Sequence, residues 1–198
     1  MSSAAIAAFL HDPGAWAEPA GAATLIAPGL QADTVRRLLR SPRLAARVSR
    51  LLAERLGDGD PQWLDPIDCA LATAPGNALE TTALSAGAVW HARRVRALLL
   101  AADIAALCHR CGETARGAAL RHADLAPNEP GGEPSADLAA EIVRDGRRCV
   151  AAWIDTLPAW AAGRVRLKWR TRSLPALPEQ ESATAVRIVR TLAAETCA

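Results

Sequence analysis

Cys108 and Cys111, in the run Cys108-His109-Arg110-Cys111, are the only pair with metal-ligand spacing in this chain. Two thiolates so placed can bind one zinc, but a structural zinc site takes four ligands. There is no second such pair, His122 stands alone downstream, and His91 lies far upstream. The plainer reading is two small apolar thiols at helical spacing, one of them packed. No metal or other cofactor is therefore expected, with Cys108 and Cys111 as the only ligands in reserve. A thioredoxin-like role has less behind it, since no βαβ pattern surrounds the pair. Asp58, Asp60, Asp65 and Asp68 lack the spacing and terminal Glu of an EF-hand loop and read as a solvated linker. Hydrolase, zincin, P-loop and dinucleotide motifs are absent. His11, His91, His109 and His122 are scattered, and no paired carboxylates stand out. The chain is expected not to be an enzyme.

Charge points elsewhere. Arg36, Arg37, Arg40, Arg43, Arg47 and Arg50, followed by Arg55, face a single Glu54 within residues 36–55. A second basic run holds Arg164, Arg166, Lys168 and Arg170, continuing to Arg172. Both runs suit a partner surface. The first also admits DNA phosphates, with residues 34–56 as the binding helices of a regulator. Against DNA as the main function stands the balance of 23 basic and 21 acidic residues, a net charge of +2. An arginine-coded solvated face is the bland reading of either run.

The composition bounds what can position these groups. The chain has 198 residues, enough to bury about 70% of the surface of the unfolded chain. It has 46 Ala, six Trp, one Phe and no Tyr, and Lys168 is its only lysine. Ala, Leu and Arg favour helix and the β-formers are sparse, so a mainly α fold is expected. Five Cys are too few for a disulfide scaffold and imply reduced thiols. The N-terminus lacks the charged region of a signal peptide, and the longest apolar run, Ala97 to Leu107, is too short to cross a membrane. A cytoplasmic chain is expected.

The elements follow from caps and periodicity. One helical domain over 1–198 is expected, with six to seven helices and one short β-strand or hairpin near residues 164–172. Residues 1–32 are broken by Pro13, Pro19 and Pro28 and read as irregular, with a short helix after the turn at His11-Asp12-Pro13-Gly14. Helices are expected from Asp33 to Arg40 and from Pro42 to Leu56, where Gly57 stops the chain. Residues 57–76 and 126–134 read as loops. Asn77 and Glu80 form a capping box opening a helix to about Ala101. Helical turns over 104–111 and 113–124 follow. The cleanest amphipathic helix runs from Ser135, with Leu138, Ile142, Gly146, Cys149, Trp153 and Leu157 on its inner face. Arg164-Val165-Arg166-Leu167-Lys168-Trp169 alternates basic and apolar residues, the period of a half-buried strand. A last helix spans 179–195, with Val186, Val189 and Leu192 inward and Ile188 beside them.

Three pieces of the chain resemble the SctK family of type III secretion proteins (the YscK, OrgA and MxiK group). The first is Asp12-Pro13-Gly14-Ala15-Trp16 with Pro19. The second runs from Leu84-Ser85-Ala86-Gly87-Ala88-Val89-Trp90-His91 through Arg93-Arg94-Val95-Arg96 to Gly112-Glu113-Thr114-Ala115-Arg116. The third is Ala151-Ala152-Trp153, a Pro/Trp turn, and Arg164 to Lys168. The pieces occur in the family's order over nearly the whole chain. Trp169-Arg170-Thr171 departs from the more apolar, proline-containing end expected there. The resemblance implies a non-enzymatic adaptor of the cytosolic sorting platform, at the cytosolic face of the bacterial inner membrane. It would link the cytoplasmic domain of the ring protein SctD to the SctQ-like pod protein, with an SctL-like ATPase regulator as a further partner. Contact with the membrane would run through protein alone, without nucleic acid.

Overall fold

A computed structural model describes residues 3–127, 137–169 and 175–197, and every regular element among them is helical. In chain order these are α1 (Ser3–His11), α2 (Pro19–Ile26), α3 (Ala32–Arg40), α4 (Ala45–Leu56), α5 (Pro66–Thr73) and α6 (Gly76–Trp90). Then come α7 (Ala92–Arg96), α8 (Ala101–Cys111), α9 (Glu113–Arg121), α10 (Leu138–Asp155), α11 (Ala159–Lys168) and α12 (Glu179–Cys197). Short 3-10 turns stand at Pro13–Ala15, Pro61–Trp63 and Ala123–Leu125. No described helix is long and apolar enough to cross a membrane.

Twelve α-helices among the described residues replace the expected six or seven. Much of the difference lies where proline and glycine suggested irregular chain. Residues 1–32 hold α1, α2 and the start of α3, and residues 57–76 hold α5. Proline opens these helices rather than preventing them. Pro19 sits at the first position of α2, whose Ala20 and Gly21 N–H groups donate to the Glu18 carboxylate. Pro66 opens α5, capped by the Asp65 carboxylate. Asp60 caps the turn at Pro61 in the same way, so two of the four linker aspartates are helix caps. A third, Asp68, is buried within α5. Asp33, expected as a cap, lies inside the first turn of α3, after Gln31.

The chain divides into two compact units, residues 1–76 with 156–172 and residues 77–155 with 173–198. The first unit is built around α11. Between Ala161 and Trp169 only Arg166 is exposed. The expected strand is therefore a helix, and the period-two reading fails for a physical reason. It assumes one face in water, whereas α11 is enclosed on nearly every side, so its basic residues are inside as well. Arg164 is 2% exposed. It donates to the carbonyl oxygens of Leu10 (3.1 Å), Gly57 (2.9 Å) and Trp160 (3.1 Å), and its guanidinium lies over the Trp160 ring. One turn later the Lys168 Nζ donates to the carbonyls of Ala72 and Ala74 and lies 5.2 Å from the centroid of the Phe9 ring. Leu10, Gly57 and the Ala72–Ala74 pair stand at the C-terminal ends of α1, α4 and α5. The last carbonyls of a helix have no partner within it and carry the negative end of its dipole. Two cations from one helix thus terminate three others. Around them Ala22, Ala23, Val35, Val48, Leu52 and Leu167 form the apolar core.

The second unit depends on a close crossing of α6 and α10. A Cβ on Gly87 would overlap the Ile142 carbonyl, and one on Gly146 would overlap the Ala83 carbonyl. The two backbones meet there without side chains between them. The helix expected from Asn77 to Ala101 breaks at His91 (φ −100°, ψ 24°), separating α6 from α7. His91, 2% exposed, is hydrogen-bonded through Nε2 to the Asp145 carboxylate at 2.9 Å. Asp145 also accepts from Arg144 (2.9 and 3.0 Å) and Arg148 (3.2 Å). Burial alone would raise its pKa, but the bonds from His91 and Arg144 override this and hold it well below the ordinary carboxylate range. Glu80 pairs with Arg147 across the crossing at 2.6 Å, and Arg94 with Glu141 at 2.5 Å. The inner face read for α10 is confirmed: Ile142, Cys149 and Trp153 are fully enclosed. Along α12 the inner positions are Ala185, Ile188, Val189 and Leu192, so Ile188 takes the place expected for Val186.

Removing the Arg164 side chain leaves carbonyls at two helix ends without a donor. Arg164→Ala is expected to cost about 1–3 kcal/mol for each buried carbonyl left unsatisfied. Arg47→Ala, on the exposed side of α4 in the same unit, should cost under about 0.5 kcal/mol. Urea unfolding of the two variants checks this, and equal losses would refute the enclosed-helix account. Burial pushes Lys168 down to about 7. Its folded pKa then lies below its unfolded value near 10.4, so the unfolded chain binds more protons between these limits. The stability advantage of wild type over Lys168→Met should therefore grow from about pH 7 toward about pH 10. Reading the difference cancels the thiols common to both. For the crossing, Gly87→Ala should destabilise by about 1–3 kcal/mol or more through overpacking. Gly117→Ala, which meets only the tip of Arg121, should gain about 0.5–1 kcal/mol of helix propensity.

Candidate partner-binding surface

The first basic run is a surface, as expected. Arg36, Arg37 and Arg40 on α3, Arg43 in the turn before α4, and Arg47 and Arg50 on α4 are all exposed. The helices turn them outward because their other sides carry the core. Val35 on α3, and Val48 and Leu52 on α4, are buried, with Leu38, Leu39 and Leu56 packed partly over them. The spacing of these apolar residues leaves the arginines no inward position. Few acids neutralise them. Asp33 pairs with Arg36 at 2.5 Å and more loosely with Arg37 at 3.9 Å, and Glu54 reaches Arg50 at 3.9 Å. All of these side chains are well exposed, so the pairs are weak and salt-screened. Among the described residues Arg40, Arg43 and Arg47 have no ion-pair partner. Leu44, 38% exposed, stands among them.

Over its described residues, 164–169, the second basic run does not form a face. Arg164 and Lys168 are committed to helix ends inside the first unit, and their assignment as partner-binding residues is withdrawn. Arg166 is the exposed residue of that run on α11. Arg170 lies outside the described residues. A strand would have shown all of these cations on one side. A helix distributes them around its axis, and enclosure then decides which remain accessible.

The thiol pair is part of the second unit's packing. Cys111 is buried with Leu107, Ala115 and Ala119, and its Sγ lies 4.0 Å from the Ala139 carbonyl. Cys108, on the same helix α8, is partly exposed. Burial raises the pKa of both thiols, with a hydrogen bond to Glu113 adding to it at Cys108. Burial of this kind makes a thiol less reactive than a free one. The histidines are engaged elsewhere: His91 with Asp145, and His122 with Glu195 at 2.7 Å. Among the described residues no group of three or more His, Cys, Asp or Glu could hold a metal ion.

Two features were not found in the sequence. Leu99 and Leu100, between α7 and α8, are 88% and 67% exposed, and Trp63 is 81% exposed. Trp63 falls in a proline-containing turn and the leucines in an apolar run. Pattern alone would bury both, and only the path of the chain leaves them outside.

Comparison with known proteins gives one family. The chain is 32% identical to the nodulation protein NolU of Rhizobium fredii over 173 residues, covering 84% of this chain and 77% of that protein. NolU of Sinorhizobium fredii aligns with the same identity and coverage. No family model matches the chain, and no solved structure matches it.

Proposed function

The chain belongs to the NolU family, and on that premise we propose that it is a non-enzymatic adaptor of a type III secretion sorting platform. In this reading it joins the cytoplasmic domain of an SctD-like ring protein to an SctQ-like pod protein, with an SctL-like protein as a further contact, on the cytosolic side of the inner membrane.

The observation that carries the reading is the ordered resemblance to the SctK family. Two of its three pieces lie on well-formed elements. Asp12-Pro13-Gly14-Ala15-Trp16 forms the turn that leads from α1, with the Asp12 carboxylate accepting from the Ser49 hydroxyl at 2.7 Å. The stretch from Leu84 to Arg116 supplies the glycine of the helix crossing, the His91 break and α8–α9. The third piece keeps its order with the strand replaced by α11. The arginine face of α3 and α4 supports the same reading. It is a large solvated array of one sign, which serves recognition rather than folding.

The test is copurification of the full chain with the pod-like protein and with the ring protein's cytoplasmic domain from the same secretion locus. Binding to at least one is expected, and failure of both with folded protein sinks the proposal. Arg40→Glu and Arg47→Glu should weaken binding without lowering the melting temperature. A parallel fall in both would remove the surface assignment. Duplex DNA binding that declines steeply with salt would favour the regulator reading of residues 34–56 instead.

A further inference from the structure

Beside the arginines of α4 lies a cleft of about 500 Å³. One wall is the turn after α1, with Gly14 and Ala15, and the other is the α4 face carrying Ala46 and Ala53, with Leu39 of α3 contributing. Ser49 forms its inner end and is occupied: its hydroxyl donates to the Asp12 carboxylate and accepts from the Gly14 N–H at 3.0 Å. Arg50 belongs to the cleft as well as to the basic face. On a helix advancing about 100° per residue, Ala46 and Ala53 fall on one strip of α4 and Arg50 and Arg47 on the adjoining one, with Arg43 exposed in the turn just before the helix. The cleft and the arginine row are therefore neighbours on the first turns of α4.

We propose that this cleft and the arginine row form one docking site for an acidic amphipathic segment of a protein partner, an apolar side chain seated in the cleft and carboxylates on Arg43, Arg47 and Arg50. The proposal rests on the adaptor reading and specifies the chemistry of the partner. The charges determine how the segment lies. Asp12 inside the cleft disfavours a second anion there, and the small alanine walls leave room for a Leu or an aromatic ring. The arginines outside have few acids of their own and present planar forks suited to carboxylates. Apolar and acidic groups on adjoining strips match an amphipathic helix laid along a groove. A phosphate polymer or an anionic bilayer would use the arginines but gain nothing from the cleft.

Peptide display tests the site independently of any secretion partner. A random peptide library selected on the full chain should enrich sequences with a Leu or aromatic residue flanked by Asp and Glu. Synthetic peptides from that selection should lose at least about tenfold in affinity on Arg47→Glu, as an interface anchor does. Ala46→Trp or Ala53→Trp, which fill the cleft from exposed or partly exposed positions, should cause a similar loss. Arg187→Glu on α12 should leave binding unchanged, and the melting temperature of each variant confirms folding. Failure to enrich acidic amphipathic sequences overturns the proposal, and so does binding that responds to Arg47→Glu but not to either tryptophan. Phosphatidylglycerol vesicles and duplex DNA are the competing arms. Tighter binding to either, insensitive to the tryptophan variants, also overturns it. Because the peptides are not secretion proteins, failure here is distinct from failure of the copurification.

Discussion

Three helices of the first unit end near one another, and each leaves carbonyl oxygens that no residue of its own helix can reach. Arg164 and Lys168 meet them from α11. Everything else in that unit accommodates this arrangement. The donors must come from inside, so α11 is enclosed and its neighbours wrap it. The donors must be long, since one side chain has to reach the ends of two helices. Arg164 does so with its fork, bonding Leu10 and Gly57 from the same nitrogen. Lys168 has a compact ammonium and a partner pair two residues apart on one chain. It is the only lysine in a protein that otherwise uses arginine. Lysine can yield its proton when buried, whereas arginine keeps its charge.

The second unit solves a different problem with different means. Its core is poor in large side chains, and alanines fill much of it. Small side chains bury little area each, so the helices must come close for dispersion and burial to accumulate. Gly87 and Gly146 permit the closest approach. Polar groups on either side of the crossing fix its register: Glu80 with Arg147, His91 with Asp145, and Arg94 with Glu141. The abundant alanine is thus a packing material here, with Trp153 the largest side chain fully enclosed.

Several residues whose types suggested chemistry have structural partners. The Cys111 thiol is packed, two histidines are paired with carboxylates, and linker aspartates cap helices. What remains unspent is the arginine face of α3 and α4, whose charge has little compensation nearby. Its exposure is a consequence of the same amphipathic pattern that buries Val35, Val48 and Leu52. The functional reading and the folding of these two helices therefore draw on one set of residues seen from opposite sides.

The sequence by itself determined the helical class, the C-terminal end of α4, the inner face of α10 and the exposure of the first arginine run. Each of these depends on local propensity, on a glycine at a helix end, or on a 3.6-residue period with water on one side. It could not separate the second basic run from the first. Arg166 and Arg164 are two residues apart, yet one is in solvent and the other terminates helices that end at Leu10 and Gly57. Only the tertiary structure decided that, because the partners of Arg164 are distant in sequence and belong to backbone, which every residue carries alike. The helices within 1–32 and 57–76 were hidden for a related reason. Proline at a first helical position and proline in a loop look the same until the carboxylate before it is seen to cap the turn.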